Sequence, residues 1–284
     1  MNYKLFRRSI RPGVYEDIKE APYIENNKID IYKLKQDKEI LKYIKIILEN
    51  NKPEYNKILY KNLPTLKSFI TKEDFKKAGL DYNEGNLIKA YGTYSISTNT
   101  IKLYTSCSKT EIHELLHMSS SMINKNISYS GFSQTVYFSN KLFKSKLINK
   151  HIGRGLNEGY TNMLALRYMY LLGYEKDSFP LEKLAYIMEY IIGEEEMKKL
   201  YFSVDLKSLI DKLSIYDSSE NIIKLLVRMD KLYKTKDEDE FYKIKDILLG
   251  YYEKKVLDGN NCNIGKIEEI IKINNKCLGK KYRR

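Results

Sequence analysis

The chain has 284 residues, a formal net charge of +13, and hydrophobic and charged fractions of 43% and 31%. These values exclude a disordered chain and leave room for one large domain or two modest ones. The lysines are mixed with acids, and only Lys280-Lys281-Tyr282-Arg283-Arg284 forms a basic run, so a solvated lysine-rich surface is expected rather than a nucleic-acid partner.

Taken in chain order, Met1 to Arg8 carries charge with no apolar stretch behind it. That excludes a signal peptide of ordinary form, and no window approaches about 18 uninterrupted apolar residues. A cytoplasmic protein with no membrane partner is expected, with signal-less export as the alternative. Ile40, Leu41, Tyr43, Ile44, Ile46, Ile47 and Leu48 have helical periodicity, ending near Asn50-Asn51 and Pro53. Thr71 is placed to cap a short helix. From Tyr91 to Ser106, alternation around Ser97-Thr98-Asn99 predicts a β-hairpin. Ser108-Lys109-Thr110-Glu111 has the form of a capping box, which predicts a helix from Lys109. Residues 122–155 read as loops and short strands. A second helix is predicted from about Asn157 to Leu172, stopped by Gly173. After Pro180 the pattern is helical over 181–193, 205–214, 220–233, 239–255 and 264–273.

The elements describe a helix-rich α+β protein, with a small, mostly antiparallel sheet before the helix that starts at Lys109. Three regions are expected: 1–85, mixed and helical; 86–175, the core; and 176–284, helical and packed on the core, since no Gly/Pro/Ser-rich linker separates them. Cys107, Cys262 and Cys277 match no disulfide scaffold or zinc ribbon, so reduced thiols are expected.

The chemistry concentrates at His113-Glu114-Leu115-Leu116-His117. Histidines four residues apart share one helix face and can share a metal, and zinc suits neutral imidazole. Two satisfied surface histidines would be the bland alternative, but the chain has only three histidines in all. Catalytic zinc usually keeps three protein ligands. His151 and Glu158 are the candidates for the third. Glu158 is preferred because it opens the second predicted helix, where Gly159 would let the two helices approach beside the metal. It could instead merely favour a helix N-terminus, and His151 reads as a surface loop residue.

His113 to His117 followed by Asn157-Glu158-Gly159-Tyr160-Thr161 resembles a gluzincin-type bacterial metallopeptidase. The 41-position gap from His117 to Glu158 is closer to anthrax lethal factor-like peptidases than to thermolysin-like ones. Residues 101–210 also resemble uncharacterised zincin-like proteins of Firmicutes. The resemblance implies a zincin-like core, one zinc ion on His113, His117 and Glu158, Glu114 as general base, and a peptide or protein substrate. Such enzymes often carry an acid after the ligand glutamate to orient an imidazole; here Asn162 stands four residues on, able to accept the same bond without charge. Tyr160, Tyr129 and Tyr137 are candidates for stabilising the oxyanion. The 94–105 strands could pair with an extended peptide. A zinc-containing partner-binding regulator and a nucleic-acid binder with a vestigial site are the competing classes; the intact Glu114 argues against the latter.

Overall fold

The computed structural model describes residues 10–11, 24–25, 28–29, 37–85, 90–105, 107–138, 148–170 and 180–258. The expectations for Met1–Arg8, Gly173, 264–273, Cys262, Cys277 and the C-terminal basic run lie outside these residues. The described elements make a helix-rich α+β protein with small, mainly antiparallel sheets. Among the described residues, no helix is long and apolar enough to cross a membrane. A first, two-stranded ribbon pairs β1 (Ile24–Glu25) with β2 (Lys28–Ile29).

Helix α1, Lys38–Asn50, opens where the Asp37 carboxylate accepts the N–H of Glu39. Ile40, Tyr43, Ile44 and Ile47 recur at helical spacing and bury one face. A 3-10 turn, Pro53–Asn56, leads into α2, Lys57–Asn62. Thr71 and Asp74 form a complete capping box on α3, Lys72–Lys77. Strands β4, Gly92–Ser95, and β5, Thr100–Leu103, form the expected antiparallel hairpin. Asn99 turns it at φ 48°, a conformation that Asn tolerates. A third strand, β3 (Lys67–Phe69), joins β5 in parallel, leaving β4 on the edge of the sheet.

Helix α4, Ser108–Ser119, carries the histidines. It starts one residue earlier than expected, and the capping box is not formed: Cys107 is the N-cap, with no side-chain bond. Ser108 Oγ instead accepts the Tyr43 hydroxyl at 2.8 Å. A tertiary partner on α1 has displaced the local cap.

The main sheet follows α4 rather than preceding it. Strands β6 (Ser121–Asn124), β7 (Ile127–Ser130), β8 (Ser133–Phe138) and β9 (Ile148–Ile152) pair antiparallel in sequence order. Their brevity and Ser/Asn content weaken the strand signal in the sequence.

Helix α5, Arg154–Tyr170, starts three residues before the expected Asn157 and packs against α4. Then come α6 (Pro180–Ile192), α7 (Glu194–Phe202), α8 (Leu206–Leu213), α9 (Ser219–Thr235) and α10 (Glu238–Leu257). Helix α7 was not expected; its first turn is Glu194-Glu195-Glu196, which hides the apolar period but suits a helix N-terminus. Gly159 serves a different approach from the one expected: a Cβ there would stand 2.4 Å from the Leu181 carbonyl oxygen, so the glycine admits α6, not α4. Arg167 ties α5 to α6 and α7 through Glu189 at 2.7 Å and Glu194 at 2.9 Å. One hydrophobic cluster joins α1, α4, α5 and the later helices as far as Tyr252 on α10.

The start of α5 is anchored from α9. The Asp230 carboxylate accepts the N–H of Gly153 at 3.0 Å and of Gly155 at 2.7 Å. Asp230→Ala should therefore lower stability by about 2–4 kcal/mol, the cost of leaving two backbone donors without a charged acceptor. Asp230→Asn, which keeps one acceptor, should fall between. Urea unfolding midpoints check this, and an Ala midpoint equal to wild type would refute the anchor.

Candidate metal centre

Helix α4 sets His113 and His117 one turn apart. Their ring centroids are 4.6 Å apart and their Nε2 atoms 2.9 Å apart. Glu158, in the second turn of α5, brings its Oε2 to 3.5 Å from His113 Nε2 and 3.6 Å from His117 Nε2. The three residues form a cluster whose donor atoms all lie within 4.8 Å of one another. Burial alone would raise the Glu158 carboxyl, but the two imidazoles overcome it and hold it well below the usual carboxylate range.

These donors fit a small borderline cation. The point equidistant from the three atoms lies about 1.95 Å from each, close to the ~2.0–2.2 Å that zinc takes to imidazole nitrogen and carboxylate oxygen. Two nitrogens and one carboxylate are a poor set for magnesium or calcium, which take oxygen ligands. His113 Nδ1 is buried without a partner. Asn157 Nδ2 lies 3.5 Å from His117 Nδ1, while Asn157 Oδ1 accepts the N–H of Phe132 at 3.2 Å. Asn157 therefore packs behind the second imidazole, a position that no pattern in the sequence distinguished.

Glu114 lines the same cavity but is outside the donor cluster. Burial pushes its carboxyl up to about 7; the His113 charge and the backbone N–H of Tyr94 oppose that rise, and Glu158 adds to it. The Tyr94 contact comes from the edge strand β4, which lies directly on α4. A Cβ on Gly92 would stand 2.5 Å from Thr110 Cγ2 and 3.2 Å from Glu114 Cγ. Glycine is what lets the strand run so close to the general-base candidate.

The cavity has a volume of about 800 Å³ and is bounded by β4, α4, α5, the β7–β9 face and Tyr233 of α9. His151 lies on β9, not in a loop. It is exposed, lines the cavity with Nδ1 2.7 Å from Thr135 Oγ1, and stands outside the donor cluster. Asn162, one turn beyond Glu158, also lines the cavity. The bond to an imidazole that its amide could accept is not formed: His113 Nδ1 has no partner, and the amide near His117 is that of Asn157.

None of the three tyrosines considered for the oxyanion lines the cavity. Tyr160 is on the opposite side of α5 from Glu158; it is buried against Phe132 and Tyr201, and its hydroxyl donates to Glu189 at 3.1 Å. Tyr129 alternates with the cavity-lining Ser128 and Ser130, so it points to the other face of β7, packing with Ile58, Met122 and Val204. Tyr137 lies two residues beyond Thr135, the last cavity residue of β8. The tyrosine that does reach the site from a helix is Tyr233. Burial raises its hydroxyl pKa, as do the charges of Glu158 and Glu114, while the Arg154 side chain bonds to it and opposes the rise. Tyr233 sits in an ordinary amphipathic pattern 75 positions after Glu158, and only the packing of α9 on α5 brings it in.

No protein-family model matches the chain, and no curated protein or solved structure matches it.

Proposed function

We propose that this protein is a zinc-dependent peptidase with a zincin-like, gluzincin-type site: His113, His117 and Glu158 hold the ion and Glu114 is the general base. The observation that carries the reading is the convergence of those three donors with the buried Glu114 in one open cavity, alongside an edge strand. A zinc ion held by His113, His117 and Glu158 would supply Lewis acidity and would lower the pKa of water towards neutrality. Glu114 takes the proton of the attacking water and delivers it to the leaving amine. The free edge of β4 pairs with an extended substrate backbone. Tyr233, kept protonated by burial and accepting from Arg154, is free to donate its own O–H to the developing oxyanion.

The test is zinc content together with cleavage of a fluorogenic random-peptide library. About one zinc per chain is expected, with hydrolysis lost on chelation and regained with zinc. Zinc held tightly by a protein that cleaves no peptide would replace this reading with that of a partner-binding zinc protein. Tyr233→Phe should lower kcat by about 10²–10³, the effect of removing one oxyanion donor, at unchanged zinc content. A kcat within two-fold of wild type would remove Tyr233 from the mechanism.

A further inference from the structure

The walls of the cavity differ in character. The β7–β9 face contributes only polar side chains: Ser128, Ser130, Ser133, Thr135 and His151. A pocket built to take an apolar side chain is lined by apolar groups, and this face offers none. Beside it stands Arg154, the first residue of α5, one helical turn before Glu158. Residues four apart share a helix face, so Arg154, Glu158 and Asn162 form one stripe, and all three line the cavity.

Arg154 is poorly placed for stability alone. A cation at a helix N-terminus faces the positive end of the dipole. Among the described residues it makes no ion pair within 4.0 Å. The acid that feels its charge is Asp230, whose two oxygens already accept the N–H groups of Gly153 and Gly155. The Arg154 guanidinium carbon lies 5.1 Å from the Tyr233 ring centroid, and Lys236 Nζ lies 4.6 Å from the same centroid. Partial desolvation of the His151 ring at the cavity wall disfavours its protonation, and the positive charges of Arg154 and Lys234 add to that. The aromatic ring holds the guanidinium at the cavity wall, where its remaining N–H donors can grip a carboxylate bidentately.

We infer that the end of the cavity lined by Arg154 and Tyr233 is a subsite for a carboxylate, so that the substrate is a peptide with an acidic side chain close to the scissile bond. This rests on the peptidase reading for its cleavage test and is separable from it by binding. The Ser and Thr hydroxyls of the sheet solvate such a side chain, and the Arg154 fork supplies its counter-charge.

The experiment uses zinc-loaded full-length protein and pairs of fluorogenic peptide sets, randomised except for one position fixed as Glu or Gln and stepped along the peptide. At one position the Glu set should be cleaved about ten-fold faster, the factor that one charge-assisted hydrogen bond supplies. Arg154→Gln should bring the ratio of Glu to Gln rates down to about one, whatever it does to both rates through Tyr233, and Arg154→Glu should shift the preference to Lys. Equal rates for Glu and Gln at every position overturn the subsite, as does a fall of the same size on both sets. In parallel, fluorescein-labelled Glu and Gln sets are bound to zinc-loaded Glu114→Gln protein and read by anisotropy. Glu sets should bind about ten-fold tighter; equal binding, or no binding of either, overturns the subsite. Glu-selective binding by Glu114→Gln, together with a wild type that cleaves nothing, sinks the peptidase reading and leaves the subsite standing.

Discussion

Glu158→Ala should weaken zinc binding by more than about 100-fold, beyond the 10–100-fold that losing an outer-shell partner costs. The variant keeps both imidazoles but removes the one carboxylate that lies 3.5 and 3.6 Å from their Nε2 atoms. On the proposed ligand set it therefore loses one of three donors and the negative charge that would offset the ion. Zinc competition against a chromogenic chelator measures the change. His151→Ala is the paired control: His151 lines the cavity outside the donor cluster and is engaged with Thr135, so its removal should leave zinc affinity within about ten-fold of wild type, the lower end of an outer-shell effect. Full affinity in Glu158→Ala with affinity lost in His151→Ala would reverse the ligand assignment.

How much of this was legible in the sequence depended on whether a feature is local. The spacing of His113 and His117 is a property of one helix, so the juxtaposition of their rings follows from the period alone. Glu158 was legible because the Asn157-Glu158-Gly159 stretch opens a periodic helix, although that helix begins at Arg154. Capping at Thr71 was legible for the same reason and is formed. Capping at Ser108 looked equally good and is not formed, because Tyr43, 65 positions away, takes the serine hydroxyl. No window of the sequence contains that competition.

The same division runs through the site. Gly159 was identified as a point of close approach, but the approaching backbone is that of Leu181, a choice made by tertiary packing. Tyr160, Tyr129 and Tyr137 were candidates because they lie near the motif in sequence, whereas side-chain direction decides access. One points off the far side of α5, one off the far face of β7, and one lies past the cavity rim. Tyr233 and Arg154 reach the cavity through the packing of α9 against the start of α5, fixed by Asp230. Short strands were expected within 122–155, but not their union in one four-stranded sheet: each is four to six residues long, and cross-strand pairing, rather than intrinsic preference, stabilises such segments.

Glu114→Gln should leave zinc content and unfolding midpoint near wild type while lowering peptide hydrolysis by at least about 10²–10⁴, the usual contribution of a general base. The fall should exceed that range, because in the proposed mechanism the same carboxylate acts at two proton transfers. The structural basis is position: Glu114 is buried at the cavity wall and outside the donor cluster, so the three candidate ligands remain in the variant. Glutamine matches the size of the buried side chain, and its amide oxygen can still accept the N–H of Tyr94, so the contact between β4 and α4 survives. What disappears is basicity. Burial pushes the native carboxyl up to about 7 and makes it a stronger base than an exposed glutamate; the charge of a bound cation would draw that value down again. Steady-state cleavage of a library-derived peptide, with zinc measured on the same samples, decides the matter. Hydrolysis by Glu114→Gln at the wild-type rate would sink the mechanism whatever the zinc content, since among the described residues no other carboxylate outside the donor cluster lines the cavity.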